Sequence, residues 1–407
     1  MPTAAQIDVV KQTVPVLQQH GETLTRHFYA RMFKHNPEVK RYFNPAHQRS
    51  GGQQRALAGA ILAYAQHIDD PSALAGAIEV IAQKHTSLTI QPEHYPIVGE
   101  NLLASIQEVL GDAATDEILD AWAAAYGELA KVFIDREQTI YAQQREHQGW
   151  AGFKSFTVLR RQVESDNIVS LYLAPADGST PPAHLPGQYV SIRLHDGDGN
   201  TAMRNYSLSN APGAPAYRIS VKREQGDTQR PDGDVSNRIH DRLDTGDHIE
   251  LSPPCGTFTL DLPEPAVKPL VFIAGGVGIT PLISMAHAAL ISSASRPVIF
   301  IQAVRHGGLR GFTTELETLA KDHPNFSLHA CFSEPREEDG NADNHQVKFG
   351  ELETDDLQRW VGGWGASYYF CGPLPMMQRI DQMLEVNGVA ADDRQYECFG
   401  PLQPLTA

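Results

Sequence analysis

The chain has 407 residues, 41% of them hydrophobic, and a formal net charge of −16. That length suggests two or three domains, each burying its own core, and so acidic a chain lacks the basic footprint that nucleic acid or an anionic membrane requires. Cys255, Cys331, Cys371 and Cys398 are scattered without a Cys-x-x-Cys, so no zinc site, iron–sulfur site or disulfide scaffold is signalled, and a cytoplasmic location is expected.

Met1 to Asp8 lacks the basic-then-apolar order of a signal peptide. From there to about residue 140 the apolar spacing predicts helices only. Ile7, Val10, Val14 and Leu17 share a face, and Gly21 is expected to stop that run. Leu24, Phe28 and Met32 form the next stripe, with Tyr29 one residue round. A third stripe holds Gln53, Leu57, Ile61 and Tyr64. Asp70-Pro71 signals a helix start, and that helix carries Leu74, Ile78, Ile81 and His85 on one face. Beyond a loop with Pro92, Val98, Leu102, Ile106 and Val109 mark another helix. Thr115 is expected to cap the longest, which bears Ile118, Trp122, Ala125, Leu129 and Val132. His85 and Gln53 break their stripes. Alone, each reads as a satisfied core histidine or a solvated helix-start residue. Together, with Tyr29 on a third helix, they suggest a cavity with a ligand side and a polar side.

Lys84-His85-Thr86-Ser87-Leu88, followed by Pro92-Glu93-His94-Tyr95-Pro96-Ile97-Val98-Gly99, resembles the globin half of bacterial flavohaemoglobins. The resemblance implies a haem b domain over residues 1–140. It makes His85 the proximal iron ligand, Lys84 a neighbouring cofactor-binding residue, and Tyr29, Gln53 and Leu57 the distal pocket. It places Tyr95 and Glu137 behind His85 as a hydrogen-bonded group, which prolines force to assemble in space. The residue types suit that chemistry. A carboxylate partner makes an imidazole ligand more electron-donating, and a Tyr hydroxyl with a Gln amide can hydrogen-bond an O2 ligand.

Residues 141–152 read as a polar linker. From Phe153 the period becomes two, with candidate strands at 153–161, 168–174, 188–194, 203–209, 217–222 and 248–252. This predicts an antiparallel barrel over 153–265, with one short helix from Val235 to His240 after Gly233. Pro186-Gly187-Gln188-Tyr189 and Arg204-Asn205-Tyr206-Ser207 resemble the FAD barrel of the ferredoxin-reductase superfamily. The resemblance makes Tyr189, Arg204, Asn205, Tyr206, Ser207, Gly233 and Ser236 FAD-binding. Tyr206 would stack on the flavin, Ser207 reach its hydride-accepting edge, and Arg204 meet the pyrophosphate. The helix opened by Gly233 and Ser236 would offer free N–H groups to phosphate. Asn205 stands where the family often has Gln, and the loop Glu224 to Pro231 has fewer glycines than expected. Pro263 to Pro269 reads as a stiff linker.

Over 269–407 apolar runs alternate with helical patterns, which predicts a doubly wound parallel sheet. Leu270 to Ile291 reads as strand, turn and buried helix rather than a membrane span, and further strands fall at 298–303, 327–332 and 367–371. Gly275-Gly276-Val277-Gly278-Ile279-Thr280-Pro281 is not a Gly-x-Gly-x-x-Gly fingerprint. With Cys371-Gly372-Pro373 it resembles the NAD(P)-binding half of the same reductases. Gly275, Gly276, Val277, Gly278, Ile279, Thr280, Cys371, Gly372 and Pro373 are thereby implied at the nicotinamide cofactor. The ending Tyr396-Glu397-Cys398-Phe399-Gly400-Pro401 matches too, which implies Glu397, Cys398, Phe399, Gly400 and Pro401 near the flavin, with Phe399 over one flavin face.

The whole resemblance implies a monomeric nitric oxide dioxygenase. Electrons would pass from NADH or NADPH through one FAD to one haem b, and O2 and NO would become nitrate. No nucleic acid and no obligatory protein partner are expected. Three other readings stay open: a diaphorase or ferric/quinone reductase with an accessory globin, an O2 or NO sensor or store, and peroxide reduction in a distal pocket that also admits lipid. Arg305 and Arg310 could meet a 2′-phosphate or be solvated surface, so the sequence does not choose between NADH and NADPH.

Overall fold

A computed structural model describes the chain except residues 196–200, 227–230, 263–267, 341–346, 401–404 and 406–407. The linker residues Pro263 to Val267, the loop residues Asp227 to Arg230 and the candidate site residue Pro401 therefore lie outside the described residues. Two compact units divide the chain, the first containing Met1–Phe153 and the second containing Lys154–Ile192 and Asn205–Phe399.

The first 150 residues are helical: α1 (Ala4–Gln12), α2 (Val14–His35), α3 (Pro45–Arg49), α4 (Gly52–Gln66), α5 (Ala75–Ser87), α6 (His94–Leu110) and α7 (Asp116–Gln143). Thr3 and Gln6 open α1 with a capping box. The first break falls at Thr13, where Pro15 occupies the opening turn of α2, and not at Gly21. Gly21 is buried within α2, where a Cβ would lie 3.5 Å from the Cβ of Ala58 on α4. The glycine sits at a helix contact, not at a helix end. Asp70 caps a single 3-10 turn, Pro71–Leu74, which leads into α5. Thr115 caps α7 as expected, accepting from Ile118 N. Leu24, Phe28, Met32, Tyr64, Leu102, Ile106 and Trp122 form the shared core. The inward face of α7 drifts round the helix to Phe133 and Glu137, so Val132 is only half-buried. One π turn, Gln144–Gln148, continues α7 and ends at Gly149 with φ 83°.

Six antiparallel strands come next: β1 (Lys154–Ser165), β2 (Ile168–Pro175), β3 (Tyr189–His195), β4 (Thr201–Ser207), β5 (Tyr217–Lys222) and β6 (His248–Leu251), in the order β4-β3-β6-β1-β2-β5. A bridge between Leu208 and Ile219 joins the two edges and closes the barrel. Helix α8 (Asp234–Arg242) lies between β5 and β6. On β5, Tyr217, Ile219 and Val221 alternate with Arg218 and Ser220, yet all five are buried. A period-two strand with polar residues on one face normally leaves that face in water.

The last segment is a parallel sheet with helices: β7 (Leu270–Gly275), α9 (Ile279–Ser292), β8 (Val298–Val304), α10 (Thr313–Asp322), β9 (Phe326–Phe332), β10 (Val347–Phe349), α11 (Thr354–Val361), β11 (Ser367–Cys371), α12 (Leu374–Val386) and β12 (Arg394–Glu397). The strand order is β10-β9-β8-β7-β11-β12. It reverses between β7 and β11, the place where doubly wound sheets open a ligand crevice. The apolar run from Leu270 is a strand, a 3-10 turn and the buried helix α9. No helix of the described residues is long and apolar enough to cross a membrane. Strands β10 and β12 had no sequence signal: the first has three residues, and the second is a polar edge.

Two helical glycines should respond oppositely to alanine. Gly21→Ala adds a methyl at ordinary contact distance and should stabilise by about 0.5–1 kcal/mol through helix propensity. Gly99→Ala would put Cβ 2.6 Å from the Tyr126 ring and should destabilise by about 1–3 kcal/mol. Denaturant titration followed by helical circular dichroism distinguishes the two.

Candidate functional site

Three helices build the first site. His85 sits near the end of α5, Tyr95 in the first turn of α6 and Glu137 on α7. Glu137 is 2% exposed. Its Oε1 accepts from His85 Nδ1 at 2.7 Å and from the Tyr95 hydroxyl at 2.5 Å, and the Tyr95 oxygen lies 3.2 Å from Nδ1. The expected group thus assembles in space. His85 Nε2 has no hydrogen-bond partner among the described residues. Burial, then the hydrogen bond and charge of Glu137, push the Tyr95 phenol far above its ordinary range, so it stays a donor.

Tyr126 and Gly99 complete this arrangement; Gly99 closes the motif that carries the resemblance, whereas Tyr126 had no sequence signal. Tyr126 donates from its hydroxyl to Tyr95 O at 2.6 Å, and its ring lies so close to Gly99 that no side chain fits there. Such partners emerge only when α6 and α7 pack.

Tyr29 of α2 is buried among Phe28, Phe33 and Phe43, with ring centroids 5.1, 5.8 and 5.6 Å away. Burial pushes its phenol up to about 12, opposed by a hydrogen bond with Gln53 of α4. Tyr29 and Gln53 are therefore brought together, and Leu57 packs one turn further along α4 against the same core. Lys84 precedes His85 on α5.

Arg204, Asn205, Tyr206 and Ser207 lie on β4, with Ser207 buried and the other three half-buried. Asn205 accepts from the Ser191 hydroxyl at 2.6 Å, which ties the strand to β3. Tyr189 exchanges backbone hydrogen bonds with Cys255, and Gly256, at φ +114°, leaves room for its ring. Gly233 caps α8 without a side-chain hydrogen bond. The Ser236 hydroxyl is committed locally, accepting from Glu224 N at 3.2 Å and donating to Gly233 O at 3.3 Å. Its place is to tie Glu224 to the helix start at Gly233.

The glycine-rich turn interlocks with the Cys371-Gly372-Pro373 turn. A Cβ on Gly278 would lie 2.1 Å from Cys371 O, and one on Gly275 would lie 2.7 Å from Pro373 Cδ. Gly276 has φ +53° and open space around its missing Cβ. Packing therefore demands Gly275 and Gly278, and backbone conformation demands Gly276. Val277 accepts from the Thr280 hydroxyl at 3.0 Å, and Ile279 and Thr280 are buried in the first turn of α9. Cys371 is fully buried, and burial holds its thiol well above the ordinary value. It pairs in register with Glu397 of β12. Cys398 is half-buried, Phe399 is 47% exposed, and Gly400 follows them. Arg310 is not solvated surface: it donates to Gln302 Oε1 at 2.6 Å within the fold.

Three family models match the chain in sequence: Globin over residues 26–133, Oxidoreductase FAD-binding domain over 156–260 and Oxidoreductase NAD-binding domain over 272–382. A Flavohemoprotein of Rhodopirellula baltica is 46% identical over 406 residues, 98% of each chain. One of Pseudomonas aeruginosa is 44% identical over 410 aligned positions, covering all of both chains. Among solved structures, flavohemoglobin from Malassezia yamatoensis with bound FAD and heme superposes with a TM-score of 0.83 at 28% identity, over 98% of this chain and 99% of that one. The flavohem-like FAD/NAD binding domain of nitric oxide dioxygenase from Vibrio cholerae gives 0.54 at 31% identity, over 61% of this chain and 99% of that one.

The interlocked turns lead to two expected outcomes. Gly278→Ala should lower the unfolding midpoint, because its methyl would strike backbone rather than a mobile side chain. Cys371, buried and protonated, should resist iodoacetamide at pH 8 in the native protein and react after denaturation, as read by mass spectrometry.

Proposed function

The chain belongs to the flavohaemoprotein family and is an NAD(P)H-dependent flavohaem oxidoreductase, and we propose that it is a nitric oxide dioxygenase, with O2 and NO as substrates and nitrate as product. The observation that carries this reading is the Glu137 carboxylate, which takes hydrogen bonds from both His85 and Tyr95. A histidine used only to store a ligand needs no such partner. The residues present fit the three groups. Nδ1 of His85 is committed while Nε2 is not, which suits one bond from Nε2 to haem iron. The β4 side chains and the uncapped start of α8 suit a flavin and its phosphates. The turn between β7 and α9 stands at the switch point of the sheet, where a nicotinamide cofactor is expected.

When bound, the flavin supplies the conversion of a two-electron hydride into single electrons that the haem can accept. The protein side chains set the rest. Glu137 fixes the His85 tautomer and makes its free nitrogen a stronger donor. Tyr95 supports Glu137 and, with Tyr126, anchors it between helices. Tyr29, like any phenol, keeps its proton at neutral pH, burial raising it further, and so offers O–H to a ligand in the distal pocket. Gln53 holds that hydroxyl in place. The same reading treats the protein as a cytoplasmic monomer, which its dispersed cysteines and strong negative charge support.

The decisive experiment is NO consumption by purified, haem- and FAD-loaded protein under air with NADH. One nitrate per NO is expected; NADH oxidation without NO uptake would instead favour a diaphorase. His85→Ala should abolish the Soret band and leave the flavin absorption. Glu137→Gln should reduce NO turnover by about 10–100-fold, as second-sphere changes commonly do. Tyr29→Phe should raise the O2 dissociation rate by about tenfold, the equivalent of one hydrogen bond.

A further inference from the structure

Arg218 stands on β5 beside the seam that closes the barrel, with a side chain 4% exposed. A cation so deeply buried must be fully paired. Its Nε donates to Ser209 Oγ at 3.0 Å and its Nη2 to Ser209 O, while Ser209 N donates back to Arg218 O at 2.8 Å. Ser209 lies two residues beyond Ser207, on the continuation of the flavin strand. The other face of the guanidinium reaches the parallel-sheet segment: Nη1 and Nη2 fork onto Glu315 of α10 at 2.6 and 3.1 Å. His287 Nε2 of α9 donates to the same carboxylate at 2.6 Å. Phe312, just before α10, holds φ 59° and ψ 25°, a left-handed conformation that costs a bulky residue energy. That conformation sets its ring 4.8 Å from the guanidinium carbon.

The same helix α9 carries Ser284, whose hydroxyl meets His184 at 3.2 Å, and Met285, which lies against Gly187 of the barrel. Helix α9 starts from the glycine-rich turn, which also lies against β5. These links run from β5, Ser209 or the segment before β3 to α9, its opening turn or α10; a separate one joins the turn between β1 and β2 to the segment before α10, where Asp166 N donates to Gly308 O at 2.9 Å.

We propose that Arg218, clamped between Ser209 and Glu315, is a positioning residue for hydride transfer. It registers the flavin strand against the glycine-rich turn, so that a nicotinamide held at the turn meets a flavin held at β4. A bidentate Arg–carboxylate pair fixes angle as well as distance, and this pair joins the two halves at the barrel seam. The proposal rests on the NAD(P)H-to-FAD step and not on what the haem does with the electrons.

Arg218→Met/Glu315→Leu removes both charges and leaves neither partner buried alone. In the full holoprotein it should retain FAD, the Soret band and the circular dichroism of the wild type. The long-wavelength charge-transfer absorbance of the NADH–flavin complex should vanish, and flavin reduction at saturating NADH should slow by about tenfold or more. Amide hydrogen exchange should rise over 209–218 and 313–322. Arg218→Lys, which keeps charge but not the fork, should show the same loss in part. A wild-type charge-transfer band and limiting reduction rate in the double variant would overturn the proposal, whatever its melting temperature. If the double variant does not fold, Glu315→Gln decides on the same two readouts. Failure of the wild type to be reduced by NADH would strike the enzyme reading itself.

Discussion

One buried carboxylate organises the helical third of this protein. Glu137 is buried, its Oε1 takes two hydrogen bonds, and both come from other helices. An unpaired carboxylate at that depth would cost several kcal/mol, on the order found for broken buried pairs. So α5, α6 and α7 must meet in one arrangement or lose more than they gain by packing. That arrangement also fixes which nitrogen of His85 is engaged, Nδ1 by Glu137. In the proposed function, stability and chemistry share the same three side chains.

The reductase portion uses the same device with an arginine. Arg218 is as buried as Glu137, and its partners come from the barrel on one side and from α10 on the other. Surroundings of low polarity make such groups intolerant of half-satisfied arrangements. Burial alone would raise the Glu315 carboxyl, but hydrogen bonds from His287 and Arg218 outweigh it and bring that carboxyl down to about 2. The carboxylate therefore stays charged through the neutral range.

Glycines set the remaining tolerances. Gly99 admits Tyr126 to the back of Tyr95, Gly278 admits the Cys371 carbonyl, and Gly187 admits Phe258 and Met285. In each case the nearest atom would lie closer to a Cβ than van der Waals contact allows. These close approaches bring different elements to the edges of the sites. By contrast Gly21, which looks like a helix stop in the sequence, only eases one helix crossing.

Periodicity and punctuation in the sequence determined the order of all-helical segment, antiparallel barrel and parallel sheet, because apolar spacing follows secondary structure directly. They also marked His85 and Gln53, as polar residues on stripes that should be apolar. The helix break at Thr13, the drift of the α7 face to Glu137, and the short strands β10 and β12 were not legible, since local spacing carries no record of which face a neighbour covers. Nor was Arg218: on an alternating strand it reads as a solvent-facing residue. Only the tertiary structure decided otherwise, by covering that face and supplying Glu315 from 97 residues further along the chain. Partners that distant are chosen by packing, and packing is the one term that a local reading of sequence omits.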